Sequence, residues 1–95
     1  MTTFDLTYEG GEYSGWHAHP GIVVAVVTAG SVVRQAPGRH GRCATETFTV
    51  GDAFTEVGAH HVANASATEP AVLSITRIHP TSATEGRVDL PAPCR

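Results

Sequence analysis

The sequence predicts an all-β fold, and three observations carry that prediction. Several short stretches alternate apolar and polar residues, the period of two that belongs to strands. Glycine and proline, ten and six among 95 residues, punctuate the chain at short intervals. No ten-residue window keeps the i, i+3, i+4 spacing of an amphipathic helix without a glycine or a β-branched run breaking it. Many short strands between frequent turns make a sandwich or a barrel.

The elements follow in chain order. Residues 3–8 place Phe4, Leu6 and Tyr8 on one face and predict a half-buried strand, closed by the turn Glu9-Gly10-Gly11. Gly15-Trp16-His17-Ala18-His19-Pro20 then leads into the Val- and Ile-rich run from Ile22, which ends on Gly30. That run has no charge and reads as a strand buried on both faces, with His17, His19 and Val23 pointing the same way. The short connection at Thr28-Ala29-Gly30-Ser31 and the apolar pair Val32-Val33 predict a hairpin. A loop rich in Pro, Gly and Arg covers 36–43, and strands follow at 45–50 and, after Gly51-Asp52, at 53–56. Gly58-Ala59 turns the chain into a strand through His60 and His61 to Asn64. Residues 71–78 form the last strong strand, with Leu73, Ile75 and Arg77 opposed to Val72, Ser74 and Thr76; from Pro80 the tail reads as irregular.

A chain of 95 residues is expected to be a single domain, 1–95, with a barrel core at about 12–79 and a tail at 80–95. The formal charge is −3, and all six basic residues are arginines, so no basic surface invites nucleic acid. No apolar run reaches the ~18 residues of a membrane span, and the start Met1-Thr2-Thr3-Phe4-Asp5 shows no export signal, so a cytoplasmic location is expected. Taken alone, His17 and His19 are either a converging pair of metal ligands or a wet strand start. His40 and His79 read as surface residues, Trp16, Phe48 and Phe54 as core, and Glu46 and Glu69 as solvated. Cys43 and Cys94 stand as two separate thiols.

Gly15, His17, His19 and Gly30 resemble the first motif of the cupin superfamily, and Gly51-Asp52-Ala53-Phe54, Gly58, His61 and Asn64 resemble the second. The resemblance runs from about 14 to 78. It extends to a group of small bacterial cupins that pair a middle-loop cysteine with one near the C-terminus, as Cys43 and Cys94 would. It implies a cupin-type β-barrel or double-stranded jelly roll, a homodimer, and a second-motif histidine facing the first pair across the barrel. Two positions depart from the pattern: Val23 stands where a glutamate ligand is usual, and the stretch 56–59 lacks the usual proline. The implied ligand set is therefore His17, His19 and His61, with His60 as the fallback, because only one of two adjacent strand residues faces inward. Three imidazoles suit Zn, Fe, Ni or Cu and leave positions for water or substrate. An apolar wall of Trp16, Val23, Ala25, Val27 and Phe54 would suit a small organic ligand, with Tyr13 and Glu56 as candidates for acid–base work. Three functions stay open: a metal-dependent enzyme (an oxygenase such as a dioxygenase, or a lyase, isomerase or cyclase), a non-catalytic metal- or ligand-binding sensor module, and a degenerate cupin without metal.

Overall fold

The structure, a computed structural model, describes residues 1–78 and 87–95. It contains β1 (Thr2–Tyr8), β2 (His17–Ala18), β3 (Ile22–Ala29), β4 (Ser31–Pro37), β5 (Cys43–Thr49), β6 (Ala53–Glu56), β7 (His61–Asn64), β8 (Ala71–Ile78) and β9 (Val88–Asp89), with one 3-10 turn at Arg39–Gly41. Among the described residues there is no α-helix, and no helix is long and apolar enough to cross a membrane. All pairing is antiparallel, in a four-stranded sheet β1-β8-β3-β6, a three-stranded sheet β5-β4-β7 and the small pair β2-β9.

The all-β architecture is that of a jelly roll, with its core between the two larger sheets. β3 lies inside its sheet but is buried on one face only, not on both as expected: Val24 and Val26 on the other face are half-buried, and Ile22 and Thr28 are exposed. Its inward residues Val23, Ala25 and Val27 join Leu73, Ile75 and Phe54 against Val32 and Val62 of the opposite sheet. Each such aliphatic side chain contributes roughly 1.5–3 kcal/mol on burial. Arg34 fastens the two sheets to each other. Its guanidinium lies 5.4 Å from the rings of Phe48 and Phe54 and bonds both Glu46 and the Thr55 carbonyl.

Three further expectations change. The segment around Gly30 is not a hairpin: β3 pairs with β6 and β8, whereas β4 pairs with β5 and β7. The chain turns a corner between sheets there, with Gly30 at φ 68°, and a Cβ on it would sit 2.5 Å from the Pro70 carbonyl oxygen. The histidine segment and the aliphatic run are two strands rather than one, separated at Pro20-Gly21, because proline cannot donate to a ladder. The tail is not wholly irregular. β9 pairs with β2, and the Leu90 amide donates to the Trp16 carbonyl at 3.0 Å. Cys94 is bonded to Cys43, with their Cα atoms 5.1 Å apart. The Cys43 amide donates to the Arg95 carbonyl at 2.9 Å, and the Arg95 amide to Gly41 at 3.0 Å. His40 is exposed, as expected, whereas His79 and the first part of the tail lie outside the described residues.

Candidate metal centre

Two antiparallel approaches build the site. Residues 12–17 run beside 60–64, tied by the Ser14 amide to the Val62 carbonyl at 2.7 Å and by a reciprocal pair of 3.0 Å bonds between the backbones of His17 and His60. That bridge sets the two imidazoles together, ring centroids 4.1 Å apart. His19, two residues on, returns to the same side, its ring 4.9 Å from that of His17. On the sheet wall, Val23 of β3 stands opposite Glu56 of β6, so both side chains point inward. The fourth polar group is therefore a carboxylate. One ligand atom from each of His17, His19, Glu56 and His60 lies within 4.8 Å of the others.

Burial makes this cluster unusual. His17, Glu56 and His60 are 5%, 6% and 2% exposed. Nδ1 of His17 sits 2.8 Å from the Gly15 carbonyl and Nδ1 of His60 sits 3.1 Å from the Gly58 carbonyl. A carbonyl oxygen only accepts, so both Nδ1 atoms carry the proton, and each Nε2 turns toward the cluster. Burial pushes His17 down to about 4, which keeps its imidazole neutral at ordinary pH. Nε2 of His60 lies 2.8 Å from Oε2 of Glu56 yet makes no hydrogen bond among the described residues. Nε2 of His19 lies 3.6 Å from the same oxygen. Nitrogens of His19 and His60 and an oxygen of Glu56 thus converge on a common point. That is the arrangement of donors to a cation, and the residues fit a divalent transition metal.

The inward histidine of the second motif is His60, not His61. His61 is half-buried on the other side, its ring 5.5 Å from Tyr13 and 5.9 Å from Trp16, and burial lowers its pKa. The signal for this lay at Val62: the apolar residue of the strand marks the core face, and 60 shares its parity whereas 61 does not. Glu56 was legible in the same way, because it shares a face with Phe54. Tyr13 is 68% exposed and points away from the cluster. Asn64 is structural: its side-chain amide donates to the carbonyls of Tyr8 at 3.1 Å and Glu69 at 2.7 Å.

A cavity of about 180 Å³ opens beside the cluster. Its lining includes His17, His19 and Glu56 of the cluster and the apolar Phe4, Leu6, Leu73 and Ile75. Of the expected apolar wall only Val23 lines it; Ala25, Val27 and Phe54 are packed in the core, and Trp16 lies against His61.

No protein-family model and no curated protein matches the sequence. The fold is similar to a solved structure of an oxalate oxidase, with a TM-score of 0.65 and 18% identity over 77% of this chain. This chain spans 39% of the length of that one. The likeness is one of fold, and with the antiparallel sheets described above it makes this an all-β jelly roll of the cupin type.

Proposed function

We propose that His17, His19, Glu56 and His60 hold one divalent transition metal, and that the chain is a metal-dependent enzyme acting on a small organic molecule in the adjoining cavity. The observation that carries this reading is the 2.8 Å approach of the buried, unbonded His60 Nε2 to Glu56 Oε2. Three neutral nitrogens and one carboxylate suit Zn, Fe, Ni or Cu and leave the ion a net positive charge. When bound, such an ion polarises an oxygen of the substrate or lowers the pKa of a bound water. The protein's share is orientation and exclusion. The Gly15 and Gly58 carbonyls fix the histidine tautomers. Val23, Leu73 and Ile75 keep water from the cavity end. Tyr8, which also lines the cavity, is pushed up to about 12 by burial and next by the Glu56 carboxylate, so its hydroxyl keeps its proton. The oxalate oxidase of similar fold supports chemistry on a small acid. The Cys43–Cys94 bond favours an oxidising compartment.

Elemental analysis of the purified chain tests the reading, with one metal ion per chain expected. His60→Ala should weaken metal binding by more than about 100-fold, beyond what loss of a supporting group costs. His61→Ala should leave it within about threefold of wild type, less than a tenth of that effect. A metal-free wild type that also takes up none of the four ions on titration would end the proposal.

A further inference from the structure

Residues 87–95 lie along the histidine strand and are anchored there by one covalent bond. The Arg87 guanidinium donates through Nη2 to the Ser14 carbonyl, Val88 and Asp89 pair with Ala18 and His17, and the Leu90 amide donates to the Trp16 carbonyl at 3.0 Å. On its other flank the same stretch is bonded to Val62 and His60. The strand that carries His17 is therefore an inner strand only while the tail is docked, and an edge strand without it. Little else keeps the tail in place. Of residues 87–95 only Cys94 is buried, so no apolar packing holds this segment down. Cys94 is bonded to Cys43, and the Cys43 and Arg95 amides add bonds to the Arg95 and Gly41 carbonyls.

We propose that the Cys43–Cys94 bond is a redox brace for the metal centre: while it is intact the docked tail holds the histidine strand and the ion is bound tightly, and once a thiol reduces it the tail undocks and metal affinity falls. The inference rests on the metal-centre reading and adds the condition under which that site is complete. His17 takes its ring orientation from the Gly15 carbonyl, and Gly15 lies between Ser14 and Trp16, both of which the tail bonds. Loss of such support typically costs about 10- to 100-fold in metal affinity. By linkage, a bound ion stabilises the docked tail by the same factor. The step itself is a thiol–disulfide exchange. A thiolate of the reductant attacks Sγ of Cys43, the half-buried member of the pair, and Cys94 leaves as a thiolate that takes up a proton. A second thiol of the reductant then attacks the reductant's own sulfur in the mixed disulfide and releases Cys43. Two electrons and two protons thus pass to the protein, and the reductant ends as its disulfide. Charge favours the approach. Exposed Arg42 and Arg95 adjoin the two cysteines in the chain, exposed Arg39 lies on the neighbouring 3-10 turn, and neither 36–45 nor 90–95 contains an acidic side chain. An anionic thiolate is attracted to such a corner.

The test measures zinc affinity, by competition with a chromophoric chelator, on three preparations of the full chain: oxidised; reduced, capped with iodoacetamide and freed of reductant; and Cys43→Ser with Cys94→Ser. Capping and substitution both remove thiols that would themselves bind zinc. Both thiol-free preparations should bind zinc about 10- to 100-fold more weakly than the oxidised chain, while the amides of Val24 and Ala25 stay protected from exchange. In the double variant, zinc should slow exchange of the Leu90 amide by up to the same factor, a response that a merely structural bond would not produce. Affinities within about threefold across the three preparations, less than the smallest loss expected, overturn the inference and leave the metal reading intact. An oxidised chain with no zinc affinity overturns the inference, and it ends the metal reading only if iron, nickel and copper are refused as well. If Val24 and Ala25 lose protection in both thiol-free preparations, Leu90→Pro decides with the disulfide intact. It removes the amide that donates to Trp16 and should weaken zinc binding by about 3- to 10-fold, the worth of one hydrogen bond. Unchanged zinc affinity in Leu90→Pro overturns the inference.

Discussion

The two halves of the candidate centre are built differently. Glu56 rises from a sheet wall in which β3 is flanked on both sides, with Arg77, Val23 and Glu56 in one continuous row. The histidines sit on a thin rim. His17 belongs to a two-residue strand, His19 lies just beyond it, and His60 just before β7. The wall is held by long ladders and aliphatic packing. The rim is held by the His17–His60 bridge, the Gly15 and Gly58 carbonyls, and β9. The difference places the cluster's carboxylate on the same row as Val23, one strand over. Val23 stands where the resembled motif would have glutamate, and its cross-strand neighbour Glu56 carries a carboxylate on the same row.

The rim should be the part that depends on the C-terminal tail. The Cys43–Cys94 bond closes a sequence separation of 51 residues, which by the chain-entropy relation contributes about 4 kcal/mol. Cys43→Ser with Cys94→Ser should lower the stability measured by urea unfolding by about that amount. Native-state hydrogen exchange should then show the His17 and His60 amides opening far more than those of Val24 and Ala25. Equal loss of protection in rim and wall would show that the tail staples the whole sandwich and not one half.

The wall can be tested by moving the carboxylate along its row. Glu56→Gln should weaken metal binding by about 10- to 100-fold, since a neutral amide donates poorly to a cation. The swap Val23→Glu with Glu56→Val places the acid one strand over on the same row and should recover binding to within about tenfold of wild type. Failure of the swap in a protein that still folds, judged by its amide spectrum, would mean that the distance from β6 to the histidines matters more than the row.

The same contrast explains what could be read from sequence. β8 was legible from its alternation and β3 from its long run of Val, Ile and Ala, although that run did not tell which face would be buried. His17 and His19 were legible because two residues of equal parity share a face. The choice between His60 and His61 turned on Val62, which points to the core and shares parity with His60, whereas the resembled motif pointed to His61. The inward parity of Glu56 was legible from Phe54, but its place beside Val23 was hidden by strand order. Nothing local in the sequence says that 53–56 lies beside 22–29 in the register that sets Glu56 next to Val23. β9 was hidden for a similar reason, since a two-residue strand carries no period and is fixed only by its partner and by the disulfide.

The two tyrosines divide between the same two regions, and this yields the smallest predicted effect. Tyr8 ends β1 on the wall side and is 9% exposed, whereas Tyr13 lies outside the rim against His61. Burial first, and the Glu56 carboxylate second, push Tyr8 up to about 12 from an ordinary value of 10. The folded chain therefore holds a proton between pH 10 and 12 that the unfolded chain releases. Stability from this group is complete below pH 10 and is lost as pH rises through 12. Few other groups interfere, because the chain has no lysine and both cysteines are bonded. The loss should come to about 1–2 kcal/mol, less than the full 1.36 kcal/mol per pKa unit because the site adjoins an open cavity. Urea midpoints measured from pH 9 to 12 should fall in wild type and in Tyr13→Phe, and should stay flatter in Tyr8→Phe. Absorbance near 295 nm should show a tyrosine ionising near pH 12 that is absent from Tyr8→Phe. If the Tyr13→Phe variant loses that component and Tyr8→Phe keeps it, the cavity floor at Tyr8 is open to water, and the dry wall assigned to that side of the centre is not dry.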